Sequence, residues 1–198
     1  MQPLADDIRA CQLCADRFAA TETGHAPRPV FRGLPSARLL IAGQAPGARV
    51  HESGLPFTDP SGDRLRDWLG LDNAAFYDEA RVAILPMAFC FPGYRKGADL
   101  PPPPICARTW RSKLLAAYPD IALTLAVGGY AQKYHLPKAG PVTATVAAWR
   151  DHLPHIIPLP HPSWRNTAWL KKNPWFEAEL LPVLRARVAE VMRHDNPD

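Results

Sequence analysis

The sequence lacks the features of several specialised protein classes. No apolar run approaches the ~20 residues that a membrane-spanning helix needs. The N-terminal segment has acidic residues early and no apolar stretch typical of a secretory signal peptide. With 47% hydrophobic and 21% charged residues, the composition is that of a globular protein rather than a disordered one. We therefore expect one domain over residues 1–198, located in the cytoplasm and without membrane association.

Acidic residues are scarce in the C-terminal half. Between Leu100 and Phe176 the only acids are Asp120 and Asp151, whereas the same stretch contains nine Lys or Arg residues. The stretch therefore carries a net charge of +7, and since the whole chain carries +4, the remainder carries −3. This asymmetry is typical of a protein that binds a polyanion such as a nucleic acid, although a solvated basic face has the same composition.

Cysteine is also scarce, with four residues in the chain. Cys11 and Cys14 form a C-x2-C pair, and Cys90 and Cys106 enclose a proline-rich loop. A C-x2-C turn lets two thiolates reach one metal centre, and a reducing cytoplasm disfavours disulfides. We expect one four-thiolate site that joins the N-terminal segment to the loop after the second strand. Spacing alone does not choose between zinc and an iron–sulfur cluster.

Short apolar segments alternate with helical ones. We expect a helix over 62–71 with Ser61 as its N-cap, further helices within 100–118 and up to Tyr134, and a closing helix over 174–192. The alternation predicts a three-layer α/β/α sandwich with a central four-stranded parallel sheet. Ligands of such sheets bind beyond the carboxyl ends of the strands. The four expected strands lie within 37–43, 81–90, 120–129 and 155–160.

Five short motifs follow one another along the chain: CQLC (11–14), IAGQAPG (41–47), GLPF (54–57), CFPG (90–93) followed by Cys106, and HPS (161–163). In this order they resemble the uracil-DNA glycosylase superfamily, most closely its iron–sulfur branch, family 4. The resemblance covers nearly the whole chain. It implies a monofunctional enzyme, expected to be a monomer, that excises uracil from single- or double-stranded DNA in base excision repair. It also implies a [4Fe–4S] cluster on the four cysteines rather than zinc.

The resemblance also implies roles for individual residues. Phe57 is expected to stack on the flipped-out base, and His161 to stabilise the negative charge that develops on uracil as the bond breaks. The backbone at Gly43 and Ala45 is expected to approach the base. Gln44 is expected to position water, but family 4 usually has Glu at this place, and an amide cannot accept a proton.

Two further positions depart from the family pattern or have two interpretations. Asp59 is either a carboxylate near the base or the N-cap of the next helix, and capping is the favoured interpretation. Pro86 stands where family 4 has the Asn that reads the uracil edge. The candidates to replace that Asn are Asn166, Gln132 and the backbone of residues 87–89.

The segment after the HPS motif predicts contact with DNA. Ser163 is expected to bind a phosphate, Trp164 to wedge or stack against bases, and Arg165, Lys171 and Lys172 to neutralise phosphates. Three further aromatic residues of this region, Trp169, Trp175 and Phe176, are expected to pack the last helix on the sheet.

Three other functions remain open at this point. Gln44 and Pro86 favour a protein of the same fold that binds uracil or damaged DNA with little or no turnover. A covalent trap of the sugar by His161 is disfavoured, since relatives that form one carry a basic insertion that the chain lacks. The last alternative is a zinc protein with an unrelated nucleic-acid role.

Overall fold

Four short parallel strands form the central sheet of the computed structural model, which describes residues 2–193. The order across the sheet is β2–β1–β5–β6, with β1 at Leu39–Ala42, β2 at Val82–Ile84, β5 at Leu123–Val127 and β6 at Ile156–Leu159. A separate antiparallel hairpin consists of β3 (Tyr94–Arg95) and β4 (Ala98–Asp99).

Helices occupy the connections between the strands. The α-helices are α1 (Gln2–Arg9), α2 (Ala15–Ala19), α3 (Ala48–Ser53), α4 (Pro60–Leu69), α5 (Asn73–Phe76), α6 (Pro104–Cys106), α7 (Ser112–Ala116), α8 (Gly129–His135), α9 (Val142–Ala147), α10 (Thr167–Lys172) and α11 (Leu181–Arg193). Two π-helical turns, Ala107–Arg111 and Phe176–Leu180, lead into α7 and α11, and two 3-10 turns cover Trp149–His152 and Trp164–Asn166.

The sheet is buried on both faces. Since successive side chains of a strand point to opposite faces, Leu39 and Ile41 pack into one hydrophobic cluster with α4 and α11, while Leu40 and Ala42 pack into another with α7 and α8. The three-layer α/β/α prediction is confirmed. Two-sided burial explains why the strands are continuous apolar runs rather than alternating ones.

The strand order creates a switch point at the centre of the sheet. From β1 the chain crosses to β2 at one edge, and it later enters β5 on the other side of β1. In doubly wound sheets the crevice at such a point lies beyond the carboxyl ends of the two central strands. The loop after β1 therefore lies where a ligand site is expected.

The helix predicted over 62–71 begins earlier than expected. It spans Pro60–Leu69, and its N-cap is Asp59, whose carboxylate accepts from the backbone N–H of Gly62 at 3.2 Å. The prediction of Ser61 as the N-cap is wrong, because Ser61 is the second residue of the helix. Its hydroxyl donates to the carboxylate of Asp59 at 2.6 Å. The capping interpretation of Asp59 is confirmed.

The aromatic residues near the C-terminus pack as predicted. Phe176 is fully buried, and Trp169 and Trp175 pack against the same hydrophobic cluster. Their rings meet Phe176 edge-on, with centroids 5.7 and 6.4 Å away. Across residues 2–193, every helix is too short or too polar to cross a membrane.

Candidate active site

A cleft of about 640 Å³ opens at the carboxyl ends of the sheet strands. The loop Gly43–Gly47 after β1 forms one wall, and the segment after β6, with His161, forms another. Phe57, Asp59 and Pro86 also line the cleft. The structure thus brings the predicted base-binding and catalytic residues together.

The loop Gly43–Gly47 is fixed by its backbone. The carbonyl of Gly43 accepts from the N–H of Met87 at 2.9 Å, and that of Gln44 accepts from the N–H of Ala88 at 3.0 Å. A side chain at Gly43 would come within 3.7 Å of the Phe57 ring, whereas one at Gly47 would meet open space. Because Gly43 and Gly47 have no side chain, the peptide backbone of this loop is open to the cleft, and a ligand can approach it closely.

Phe57 has an unusual backbone conformation. Its φ of 58° lies in the left-handed region, which costs a bulky residue about 1–3 kcal/mol. Two side chains hold its carbonyl: Arg66 donates at 3.1 Å and Tyr77 at 3.2 Å. Its ring meets Phe76 edge-on, with centroids 5.9 Å apart. Strain of this kind is typical of functional positions, and here it sets the direction of the aromatic ring.

The first turn of α4 makes room for Phe57, a feature not predicted from the sequence. A Cβ at Gly62 would lie 1.8 Å from the carbonyl oxygen of Phe57, so only glycine fits there. The signal was present in the sequence as a glycine in the first turn of an amphipathic helix.

The protonation state of His161 follows from its contacts. Its Nδ1 accepts from the backbone N–H of Ser163 at 3.2 Å. Because a backbone N–H can only donate, the proton of the neutral ring resides on Nε2. Burial lowers the pKa of His161, while the carboxylates of Asp59 and Asp99 act in the opposite direction. The cleft therefore contains a neutral imidazole with an N–H available to a ligand.

Three contacts fix the segment that carries His161. The side-chain amide of Asn166 donates to the carbonyl of His161 at 2.7 Å, and Arg64 donates to the carbonyl of Ser163 at 2.9 Å. A Cβ at Gly128 would lie 3.8 Å from the Cβ of His161, so the loop after β5 packs directly behind the histidine. Arg64 was not predicted, because nothing in its local sequence separates it from an ordinary exposed helix arginine.

Several candidates to read a base edge are already engaged. Gln132 is fully buried and donates to the carbonyl of Leu159 at 2.9 Å, so it is structural. The N–H groups of Met87 and Ala88 already donate to the carbonyls of the loop after β1. Asn166 lines the cleft, and its side-chain oxygen has no hydrogen bond to the residues that the structure describes.

The predicted DNA-contacting residues fall into two groups. Trp164 is 71% exposed at the cleft, with the guanidinium of Arg165 5.8 Å from its ring centroid. The hydroxyl of Ser163 accepts from the N–H of Arg165 at 3.2 Å and so caps the 3-10 turn. Lys171 and Lys172 are exposed at the end of α10 and lie outside the cleft lining.

Sequence reasoning missed several polar residues of the cleft, among them Arg49, Tyr94 and Asp99. Arg49 follows the loop after β1 at the start of α3, and Tyr94 and Asp99 belong to the hairpin. The hairpin itself was not expected, since its strands are two residues long and show no apolar alternation.

The cysteines form a second site. All four line one cavity whose other walls are apolar, and all four are free thiols. Burial raises the pKa of Cys90 to about 12 and that of Cys106 to about 11, and the neighbouring cysteines add to the rise. Among residues 2–193, no group of three or more His, Cys, Asp or Glu side chains is arranged to hold a metal ion.

One comparison with known proteins bears on this geometry. The family model described as the uracil DNA glycosylase superfamily matches residues 31–185. The match includes the loop after β1, Phe57, His161 and the second cysteine pair, and it does not include Cys11 and Cys14.

Proposed function

Because the chain belongs to the uracil DNA glycosylase superfamily, we propose that it is a DNA glycosylase that hydrolyses the bond between uracil and deoxyribose. The observation that carries this proposal is the neutral His161, which shares one cleft with the strained Phe57. Excision needs an aromatic surface for the extruded base and a donor for the charge that develops on it.

His161 supplies the donor. As the C1′–N1 bond breaks, its electron pair moves onto uracil, and negative charge accumulates on the O2 atom of the base. The Nε2–H of His161 stabilises this charge without giving up its proton, since Nδ1 remains bound to the Ser163 N–H. The segment is held by Asn166 and Arg64, so the donor is in place before the substrate arrives.

Base recognition falls to the remaining cleft residues. Phe57 stacks on the flipped base, and the backbone at Gly43 and Ala45 lies against it. Asn166 is the amide best placed to replace the Asn that family 4 has at the position of Pro86. Its free side-chain oxygen can accept from N3–H of uracil, which thymine also presents, so steric exclusion of the thymine methyl must supply the remaining selectivity.

The DNA contacts extend from the cleft to α10. Trp164 stacks against or wedges between bases, while Ser163 and Arg165 contact the phosphates beside the flipped nucleotide. Lys171 and Lys172 neutralise phosphates farther along the strand.

The four cysteines are proposed to hold a [4Fe–4S] cluster with a structural role. Four thiols line one apolar cavity, and this shared position is the observation that supports a common thiolate-bound group. The choice of a [4Fe–4S] cluster over zinc comes from the resemblance to family 4. The cluster would join Cys11 and Cys14 to the segment that carries Cys90 and the helix that carries Cys106.

The cofactor proposal is tested by analysis of anaerobically purified protein. We expect brown protein with about four iron and four sulfide per chain. Cys90→Ser and Cys106→Ser should each lower the iron content and the melting temperature. One zinc per chain without iron would contradict the cluster.

The activity is tested with labelled single-stranded and duplex DNA that contains one uracil, beside thymine and hypoxanthine controls. We expect alkali-sensitive cleavage at uracil, lowered by roughly 10²–10³-fold in His161→Ala. His155→Ala is the matched control, because His155 is exposed at the opposite end of β6. Cleavage that is unaffected by His161→Ala would contradict the assignment of the site.

Binding of uracil-containing DNA without turnover is the second candidate function. It is favoured by Gln44, whose amide cannot accept a proton from water. The same reactions decide between the two, since a binding protein would shift the labelled DNA on a native gel and leave it uncleaved. A protein–DNA adduct that survives a denaturing gel would indicate a covalent trap instead.

A further inference from the structure

Hydrolysis at C1′ requires a proton acceptor. A water molecule adds to the sugar carbon as the C1′–N1 electron pair leaves with uracil, and the water must then lose a proton. The position after Gly43 holds the amide of Gln44, which can orient water but cannot accept its proton. His161 is occupied at Nδ1 and donates at Nε2. A third group of the cleft would be needed for a protein side chain to accept the proton.

Two carboxylates line the cleft, Asp59 and Asp99. Asp59 is committed to the start of α4, where one oxygen accepts from both Ser61 and Gly62. Asp99 has no hydrogen bond or ion pair from its side chain to any of residues 2–193. It is the unengaged carboxylate of the two.

The β3–β4 hairpin gives Asp99 a defined position. Asp99 pairs with Tyr94 across the hairpin, and the two-residue turn has positive φ at Lys96 (53°) and Gly97 (72°), as a tight type I′ turn requires. The N–H of Lys96 donates to the carboxylate of Glu22 at 2.9 Å and so anchors the tip to the N-terminal segment. The carboxylate is therefore carried by a short, braced element.

If the cleft only bound DNA, the negative charge of Asp99 would be unfavourable. A free carboxylate in a cleft that binds DNA repels phosphates and lowers affinity. The same charge is favourable beside the sugar, where positive charge develops on C1′ and O4′ as the bond breaks. Its field reaches His161, where the carboxylates of Asp59 and then Asp99 oppose the lowering of the pKa by burial.

We propose that Asp99 is a catalytic residue that accepts the proton of the attacking water, a role that rests on the glycosylase activity proposed above. The water oxygen bonds to C1′, one water proton passes to the carboxylate of Asp99, and uracil departs as an anion held by His161. The departing base later takes a proton from solvent. Gln44 orients the water between the sugar and Asp99.

The test compares Asp99→Asn with wild-type protein in single-turnover excision and in DNA binding. We expect excision to slow by about 10²-fold or more, since a general base contributes on that scale. DNA binding should be unchanged or tighter, because a repulsive charge is removed. Asp120→Asn is the matched control, since Asp120 is an exposed carboxylate before the amino end of β5. It should behave as wild-type in both assays.

The outcomes separate this role from the others. Partial recovery of Asp99→Asn by added formate, without an effect on Asp120→Asn, would support a missing proton acceptor. Excision at the wild-type rate in Asp99→Asn would overturn the role of Asp99 and leave the glycosylase intact. Slower excision together with weaker DNA binding would show a structural role and would also overturn it. A wild-type protein that binds uracil-containing DNA without excision would remove both proposals.

Discussion

Among single residues, the buried Arg111 and the half-buried His135 form a polar pair behind the cleft. Arg111 donates to the carbonyls of Leu85 and Pro86 at 2.6 and 3.0 Å, and to Nε2 of His135 at 2.7 Å. Burial lowers the pKa of Arg111 to about 10, so it remains charged at neutral pH. The pair therefore links the helix after Cys106 to the backbone where Pro86 enters the cleft.

This pair makes stability depend on pH. Burial and then Arg111 lower the pKa of His135 from 6.5 to about 3. Since the unfolded chain binds a proton below pH 6.5 and the folded one does not, the stabilisation is complete above pH 6.5 and is lost toward pH 3. As the pH falls from 6.5 to 5, protonation of His135 in the unfolded chain should lower the free energy of unfolding by about 1.6 kcal/mol. Urea melts at both pH values measure this loss.

The matched variants for this measurement are His135→Gln and His155→Gln. His135→Gln keeps an acceptor for Arg111 without a titrating ring, so its unfolding free energy should change less with pH. The exposed His155 should give the wild-type pH dependence when it is replaced. Equal pH dependence in all three proteins would remove His135 as the cause.

At the level of elements, the first turn of α4 and the chain before it form one unit. Asp59 caps the helix, and Gly62 lets the Phe57 backbone lie against it. Arg66 on the next turn holds the carbonyl of Phe57. The same ten-residue helix thus holds the segment that carries Phe57 and orients the ring that is proposed to stack on the base.

Replacement of Gly62 by alanine should disturb this unit. The added Cβ would lie 1.8 Å from the Phe57 oxygen, so Phe57 must shift. We expect Gly62→Ala to cost about 1–3 kcal/mol of stability, as overpacking does, and to lower excision through the displaced ring. Gly140→Ala is the control, because a Cβ there meets open space. Thermal melts and excision assays that fail to distinguish the two variants would contradict this account.

Sequence reasoning located elements by their apolar pattern. The four sheet strands are buried on both faces and are therefore short continuous runs of apolar residues. Such runs can be recognised from the sequence alone. The β3–β4 hairpin is two residues per strand and exposed, so only the Lys96–Gly97 turn signal was available for it. Asp99 was missed for the same reason. Phe57 and His161 were found through their motifs, not through any property that composition or spacing reveals.

For the whole molecule, the basic residues between Leu100 and Phe176 differ in their exposure and in their ion pairs. Arg111 is 1% exposed and belongs to the interior. Arg150 forms an exposed ion pair with Glu179 at 2.7 Å. Burial and ion pairing are set by tertiary contacts, which a count of charges does not contain. The cations that can reach DNA are therefore better judged by their position relative to the cleft.

Lys171 and Lys172 test whether the position of a cation relative to the cleft decides its contact with DNA. They end α10, which directly follows the cleft residues Trp164 and Arg165, and both are exposed. Lys171→Ala combined with Lys172→Ala should weaken DNA binding and flatten its dependence on salt. The slope of log K against log salt should fall by about 1.4 on single-stranded DNA if both contact phosphates.

The matched control replaces another exposed pair, Lys133→Ala with Lys138→Ala, within the same basic stretch. Lys133 lies in the last turn of α8, which begins at the carboxyl end of β5, and Lys138 follows the end of this helix. If the path of DNA is set by the cleft and α10, only the first pair changes the slope. Equal effects of the two pairs would show that DNA responds to the charge of the whole basic stretch. An unchanged slope for Lys171 and Lys172 would place α10 outside the interface.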